Sequence, residues 1–529
     1  MASLLFIPKK EQTWRAPLLM SYESNVEEFL KVKSQFQLGD LVTEAVHPAT
    51  KTLSQQAKND VCNALSLLKG VDLEALKKLQ GHLPNLKTLH NAVKDTLQRN
   101  GKIFLGGCGA TGRLSLVCEF LWRWQNSDPK LQESVVGFMA GGDVALIASI
   151  EKFEDFPEFG ARQLRELGFS KNDLFLGSTE GGETPFVIGA TEEASRISER
   201  KPFFLYCNPD SILIQKIERS RNVISNPRIE KINLTVGPMA ITGSTRMQAS
   251  TVLMYAISLC LEHYQRDFSE IEKRVQSFIQ FFEAFHTSEL ERFVTKEASF
   301  YKNSEFVFYD TTPEYGITVL TDTTERSPTF SLFPFENEQD QDIHPSLCYL
   351  LFKNEVAAKS AWNSLLQRPP RTFHWKEVTN RTNQERLLGF DFSNDIIKKR
   401  HLWHQKPSHH FEIIPDQIGV HFKLDNIEHH FDFNDLPFLE RHVLLKMMLN
   451  SLSTLIMGRL DRYDGNIMTW VRSSNYKLID RTIRYVKLLL ARENTEVSYE
   501  EIAKKIFELK DHLRQDQPMV LELFKTFKT

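Results

Sequence analysis

Five short apolar runs separated by helical stretches constrain this chain more than any other feature. They lie at 103–105, 135–139, 174–176, 203–207 and 232–236, and the segments between them repeat apolar side chains at helical spacing. A strand that reads as a continuous apolar run is buried on both faces. Its alternation with helices is the pattern of an α/β fold with a doubly wound parallel sheet. Ligands of such sheets sit beyond the carboxyl ends of the strands, so the segment after each run is the first place to look for a site.

The first run leads into Gly107-Cys-Gly-Ala-Thr-Gly-Arg113, and Leu114, Leu116, Val117, Phe120 and Leu121 then continue at helical spacing. Strand, glycine loop and helix together aim backbone N–H groups and a positive helix end at an anion. Gly107, Gly109 and Gly112 admit close approach of a ligand, and Thr111 adds a hydroxyl. The same glycine spacing occurs in dinucleotide folds, and a tight turn with no ligand is the plain alternative. The third run is followed by Ser178-Thr-Glu-Gly-Gly-Glu-Thr-Pro185 and the fifth by a loop containing Thr242-Gly-Ser-Thr-Arg246. Ser178, Thr179, Gly181 and Ser244 suit a phosphate or another polyhydroxyl anion, with Arg246 or Arg113 as counter-charge.

A second round of apolar runs lies at 306–309, 346–352, 371–374, 387–392 and 418–424. The first of these precedes Asp310-Thr-Thr-Pro-Glu-Tyr-Gly316, a degenerate relative of the glycine loop, so the pattern reads as a weak internal repeat. The expected division is a loosely attached arm at 1–52, a first sheet unit with leading helices at 53–270, a second unit at 271–490 and a helical cap at 491–529. A chain of 529 residues accommodates this. The net charge of −3 gives nucleic acid no electrostatic footing. Six scattered cysteines without a CxxC pair indicate neither a zinc cage nor a disulfide framework and fit a reducing cytoplasm. No apolar run approaches the length of a membrane span. No cofactor or metal is expected.

Five stretches taken together resemble the sugar isomerase (SIS) domain proteins, in the branch of N-acetylmuramic acid 6-phosphate etherases and glucokinase regulatory proteins. They are Thr43-Glu with Pro48 and Thr50; Gly107 to Arg113; Ala140-Gly-Gly142 followed by Glu151-x-x-Glu-Asp155; Thr184-Pro185; and Thr242-Gly-Ser-Thr-Arg-Met247. Later stretches, around Lys446 to Ser453, Gly465 to Met468 and Asn475 to Leu478, look like a helix that the etherases carry directly after a single SIS domain. Here that helix comes some 200 residues later. This layout resembles the regulatory proteins, and it implies two tandem SIS domains plus the small helical cap. The resemblance implies a hexose or amino-sugar phosphate pocket. Gly107, Thr111 and Gly112 would hold one side, Thr179 and Gly181 the phosphate side, Glu154 the sugar ring, and Lys446 would reach in from the second half. Two copies in one chain imply a monomer that completes its own pocket.

Four residues depart from the family pattern. Etherase chemistry needs two acids, one to abstract a proton and assist elimination and one to handle the leaving lactyl oxygen and the water. Glu154 matches one of them; the position of the other holds Leu121, and Glu119 is rotated about 200° away on a helix. Glu180 and Glu183 place carboxylates in the third loop, where a phosphate would be repelled. Gln248 stands where a lysine is usual. The expected function is therefore a non-catalytic sugar-phosphate sensor controlling a partner such as a hexokinase-type sugar kinase. A lyase using Glu154 and a structural interaction protein with a decayed pocket are the alternatives. Elsewhere, His401, His404, His409 and His410 read as an exposed polar loop, Glu336 to Asp342 as a solvated acidic turn, and Arg481, Arg484 and Lys487 as an exposed basic face.

Overall fold

A computed structural model describes residues 26–528, apart from 151–152, 379, 434–435, 474 and 515–516. Glu151 of the acidic motif and the first 25 residues of the expected arm lie outside the described residues.

The first sheet is the one the apolar runs predict. Strands β1 (Ile103–Gly107), β2 (Val135–Met139), β3 (Leu174–Ser178), β4 (Phe203–Tyr206) and β5 (Glu230–Asn233) pair in parallel in the order β2-β1-β3-β4-β5. Every residue of β1 to β4 is buried, which is why their sequences carry no polar alternation. Helices cover both faces. On one lie α1 (Val61–Gln98), α2 (Ala110–Gln125) and α3 (Gln248–Glu262). α1 starts where Asp60 accepts a hydrogen bond from the Asn63 backbone N–H, and it runs unbroken through Pro84.

The second sheet departs from the expectation of a second parallel sheet. β6 (Phe306–Thr311) pairs in parallel with β7 (Cys348–Leu351) and β8 (Ser408–Pro415), but β9 (Gly419–Leu424) and β10 (Ile427–Asp432) add on antiparallel, giving the order β7-β6-β8-β9-β10. His409 and His410 lie in β8, not in an exposed loop. Their strand was concealed because only Phe411 and Ile413 of its eight residues are fully buried. The apolar runs at 371–374 and 387–392 form no strand. Phe373 and Trp375 instead dock on the first half, where Trp375 stacks on Phe153 with ring centroids 5.6 Å apart. Phe390 and Phe392 enter the second core, and the Phe390 carbonyl accepts from the Trp362 indole N–H. In the C-terminal region a capping box starts the helix Tyr499–Leu509, with Ser498 as its N-cap and Glu501 as the return partner.

Three further helices position the site: α4 (Pro313–Phe330) directly after β6, α5 (Phe438–Arg459), and α6 (Tyr476–Arg492). α5 is buried nearly all round, polar side chains such as Lys446 and Asn450 included, and runs between the two halves. The described part of the N-terminal segment is not a loose arm. Phe29, Leu38 and Leu41 are buried, and the Glu44 carboxylate is held by Arg481 and Arg484 of α6. Those two arginines are therefore interior, and of the expected basic face only Lys487 is exposed. Glu336 also leaves the expected acidic turn. It is buried, and Arg400 pairs with it at 3.0 Å and His404 at 2.6 Å. Among the described residues no helix is long and apolar enough to cross a membrane.

The two halves are tied by buried charge. Glu119 of α2 receives Arg123 at 3.1 Å, Arg368 at 3.0 Å and Arg371 at 2.7 Å, and Arg368 also pairs with Asp143 at 2.7 Å. Burial alone would raise the Glu119 pKa, but Arg368 and Arg371 hold it down to about 2. Its stabilisation is thus complete above the ordinary carboxylate range and is lost as pH falls from about 4.5 towards 2. Glu119→Gln leaves buried guanidinium groups without their carboxylate. Chemical denaturation at pH 7 should show a loss of about 3–5 kcal/mol, and the difference from wild type should shrink as pH is lowered below 4.

Candidate functional site

The carboxyl ends of β1 to β3 open onto a cavity of about 230 Å³. Loops of the first half line one side; Glu325, Pro328 and Thr329 at the end of α4 and Asn475, Lys477 and Arg481 of the α6 region line the other. Both halves of the chain thus build one cavity.

Of the residues singled out from sequence, Gly109, Glu154, Ser244 and Arg246 line it. Gly109 has φ +55°, which a residue with a side chain adopts only under strain. Gly107, Thr111 and Gly112 sit behind the cavity wall. A Cβ on Gly107 would lie 2.3 Å from the Thr111 carbonyl and one on Gly112 2.4 Å from Met139 Cβ, so both glycines serve the close packing of strand on helix. The Thr111 hydroxyl closes the loop on itself, accepting from the Cys108 N–H at 3.0 Å and donating to the Cys108 carbonyl at 2.9 Å. Ser178 and Thr179 are buried beneath the third loop, where the Thr179 and Thr184 hydroxyls bond at 3.0 Å, and the Gly181 carbonyl accepts from Asn208.

Lys446 does not reach this cavity. It lies on the buried α5, and its ammonium group donates to the Arg246 carbonyl at 2.8 Å, Thr251 Oγ1 at 2.8 Å and Asn450 Oδ1 at 2.9 Å. Burial lowers its pKa to about 8 against the pull of Asp72. The lysine that lines the cavity is Lys477, in the first turn of α6. The sequence signal for it was the stretch Asn475 to Leu478, whose asparagine caps α6 by accepting from the Leu478 N–H and also donates to Glu154 Oε1 at 3.2 Å. Sequence reasoning also missed Glu325, because nothing in a degenerate repeat marks its helix as a wall of the other unit's site.

The cations around the cavity are already engaged. Arg113 pairs with Glu325 at 2.8 Å, Arg246 with Asp322 at 3.0 Å, Lys477 with Glu183 at 2.8 Å, and Arg481 with Glu44. Two buried polar atoms of the fifth loop, Ser244 Oγ and Arg246 Nε, have no hydrogen-bond partner. Gln248 takes the place expected for a lysine and bonds Asp72 at 2.7 Å, away from the cavity.

Two carboxyl groups face the cavity with no ion pair among the described residues, although the Lys477 charge acts on both. Glu154 accepts from Asn475 and, at 3.5 Å, from the Cys108 thiol. Glu180 accepts from the Ser250 hydroxyl at 2.7 Å. Burial raises the Glu180 pKa to about 7, although the Ser250 hydrogen bond pulls it down. Glu180 is therefore a proton donor near neutrality. Burial together with Glu154 pushes the Cys108 thiol well above its usual range, which makes it a poor nucleophile. Leu121, at the position of the second etherase acid, is core.

Residues 86–194 match the family model described as the glucokinase regulatory protein N-terminal SIS domain. N-acetylmuramic acid 6-phosphate etherase 1 of Bacillus licheniformis is 32% identical over 217 residues, covering 40% of this chain and 65% of that one. The etherase of Streptomyces avermitilis is 31% identical over 229 residues, covering 42% and 67%. The chain thus spans about two thirds of the length of these relatives. The C-terminal domain of glucosamine-fructose-6-phosphate aminotransferase from Francisella tularensis superimposes with a TM-score of 0.38 at 10% identity, over 73% of this chain and 93% of that one. With the glycine loop, the Glu154 segment and the Ser244–Arg246 loop meeting at one cavity, and with etherases about 30% identical over some two thirds of their own length, the chain belongs to the SIS-domain family, in the branch that holds the N-acetylmuramic acid 6-phosphate etherases and the glucokinase regulatory proteins.

Proposed function

We propose that this cavity binds a sugar phosphate, the class named in the etherase relatives, and that the chain acts on it as an ether-eliminating lyase. The observation that carries the reading is the pair of carboxyl groups, Glu154 and Glu180, that line one cavity with no ion pair on either among the described residues. Elimination needs a base for the carbon-bound proton and an acid for the departing oxygen. Glu154 takes the proton, the ether C–O bond breaks as the C=C bond forms, and Glu180 protonates the leaving oxygen; water then adds across the double bond. Glu180 comes from the third loop, so it supplies from another direction the acid that Leu121 cannot.

A second reading has its own support. The family model over 86–194 is that of a regulatory protein, and Leu121 removes the acid at its usual place. In that reading the occupied cavity controls a partner protein such as a sugar kinase, and no turnover occurs.

Thermal unfolding against hexose and amino-sugar phosphates and N-acetylmuramic acid 6-phosphate tests the ligand class. A ligand at a hundredfold excess over its Kd adds about 2.7 kcal/mol to the native state, and the absence of any shift across the panel overturns the sugar-phosphate reading. Turnover separates the two readings. Under the lyase reading, Glu154→Gln and Glu180→Gln each lower kcat by at least about 100-fold while the thermal shift with substrate persists. Binding without release of a hydroxy acid by the wild type supports the regulator.

Glu180 also leaves a signature in stability. Its folded pKa of about 7 lies above the ordinary carboxylate value of 4.5. The native state therefore holds this proton more tightly than the unfolded chain, and stability falls as pH rises from about 4.5 to 7. Glu180→Gln should remove that component, so that the variant gains on the wild type between pH 5 and 8 in denaturant titrations.

A further inference from the structure

Glu183 is the acidic residue that least fits a phosphate-binding loop, and the structure shows what it does there. Its side chain is 2% exposed. One carboxylate oxygen meets Lys477 Nζ at 2.8 Å and the other meets Arg219 Nη2, whose Nε donates to the Glu183 carbonyl at 2.6 Å. Burial would raise the Glu183 pKa, but Lys477 and Arg219 bring it down to about 2. The carboxylate is a fixed negative charge at any physiological pH.

Lys477 faces the cavity as well as Glu183. The other three cations on the cavity wall have carboxylates of their own, so an incoming dianion finds no uncompensated positive charge among the described residues. The Lys477 pair differs from these three in position. Arg113, Arg246 and Arg481 are tied to α4 or to the N-terminal segment, whereas the partner of Lys477 is a residue of the third loop itself, one step before the Thr184 hydroxyl that lines the cavity. A carboxylate held by a lysine and an arginine in a glycine-rich loop is the charge arrangement of a bound anion, supplied by the chain.

We propose that Glu183 is a built-in anion that holds the place of the ligand's phosphate at Lys477, and so sets how well this pocket accepts a phosphorylated sugar relative to an uncharged one. This rests on the sugar-phosphate reading above and deepens it. A phosphate enters by displacing the carboxylate from Lys477 or by enduring its repulsion, and either route weakens binding. A neutral sugar, held by Glu154 and the loop hydroxyls, is indifferent to it.

The test compares the full-length wild type with Glu183→Gln and with Glu183→Gln carrying Lys477→Met. The probes are inorganic phosphate, glucose 6-phosphate and glucose, read by calorimetric titration and by the thermal midpoint. Glu183→Gln should gain an inorganic phosphate site that the wild type lacks, bind glucose 6-phosphate at least tenfold more tightly, and bind glucose unchanged. Lys477→Met should abolish the gain. Glu183→Asp, which keeps the charge, should show no gain. A folded Glu183→Gln protein with no gain for inorganic phosphate overturns the proposal, as does an equal gain for glucose. Removing Glu183 leaves two cations unpaired, so Glu183→Gln is also purified and refolded in phosphate. Failure to fold even there overturns the proposal, since a phosphate that fits the position replaces the missing charge. A gain for inorganic phosphate with no sugar phosphate bound by any variant upholds the role of Glu183 and overturns the sugar-phosphate reading instead.

Discussion

Charge pairing across the two halves is the constraint on which the cavity depends. Arg113 lies in the first turn of α2 and Arg246 in the loop after the last strand of the first sheet, and their carboxylates, Glu325 and Asp322, belong to α4 of the second half. These groups are almost wholly withdrawn from water, and an ionised group so placed is tolerable only with its partner in position. The pairs therefore fix the spacing between the first glycine loop and α4, and that spacing is the width of the cavity. Glu119 with Arg368 and Arg371 does the same at the outer edge, where the segment around Phe373 and Trp375 docks. Buried pairs of this kind add little net stability, because desolvation offsets their attraction. Their contribution is to the geometry of the halves.

What could be read in the sequence follows from which faces are buried. β1 to β4 are covered on both sides and so appear as unbroken apolar runs. β8 is half exposed and carries histidines, so its alternating pattern reads as a polar loop, whereas the apolar run at 418–424 does become β9. The run at 371–374 misleads for the opposite reason: its aromatic residue is apolar because it packs on Phe153 of the other half, not because it forms a strand. In the site, residues fixed by local backbone demands were legible. Gly107, Gly112 and Thr111 declare themselves through spacing alone. Glu325 and Lys477 were not, since each lies far along the chain and only tertiary packing brings it to the cavity. Lys446 and Lys477 illustrate the limit: both stand in stretches that look like the family, and only the all-round burial of α5 shows that Lys446 points at a backbone carbonyl.

The second half is put to a different use. At the carboxyl end of β6, where the first half places its glycine loop, Asp310 is buried and pairs with Lys353, and burial raises its pKa to about 6 despite that lysine. α4 then begins at Pro313, which has no N–H to offer an anion. A carboxylate in place of a glycine and a proline in place of a donor close this end of the second sheet to phosphate. What the second half supplies instead comes from the other end of α4, where Asp322 and Glu325 neutralise the two arginines of the first half. The second half thus serves the cavity through α4 and not through the strand ends of its own sheet. The helix that carries the wall must keep its acidic residues at the spacing its neighbour's arginines demand.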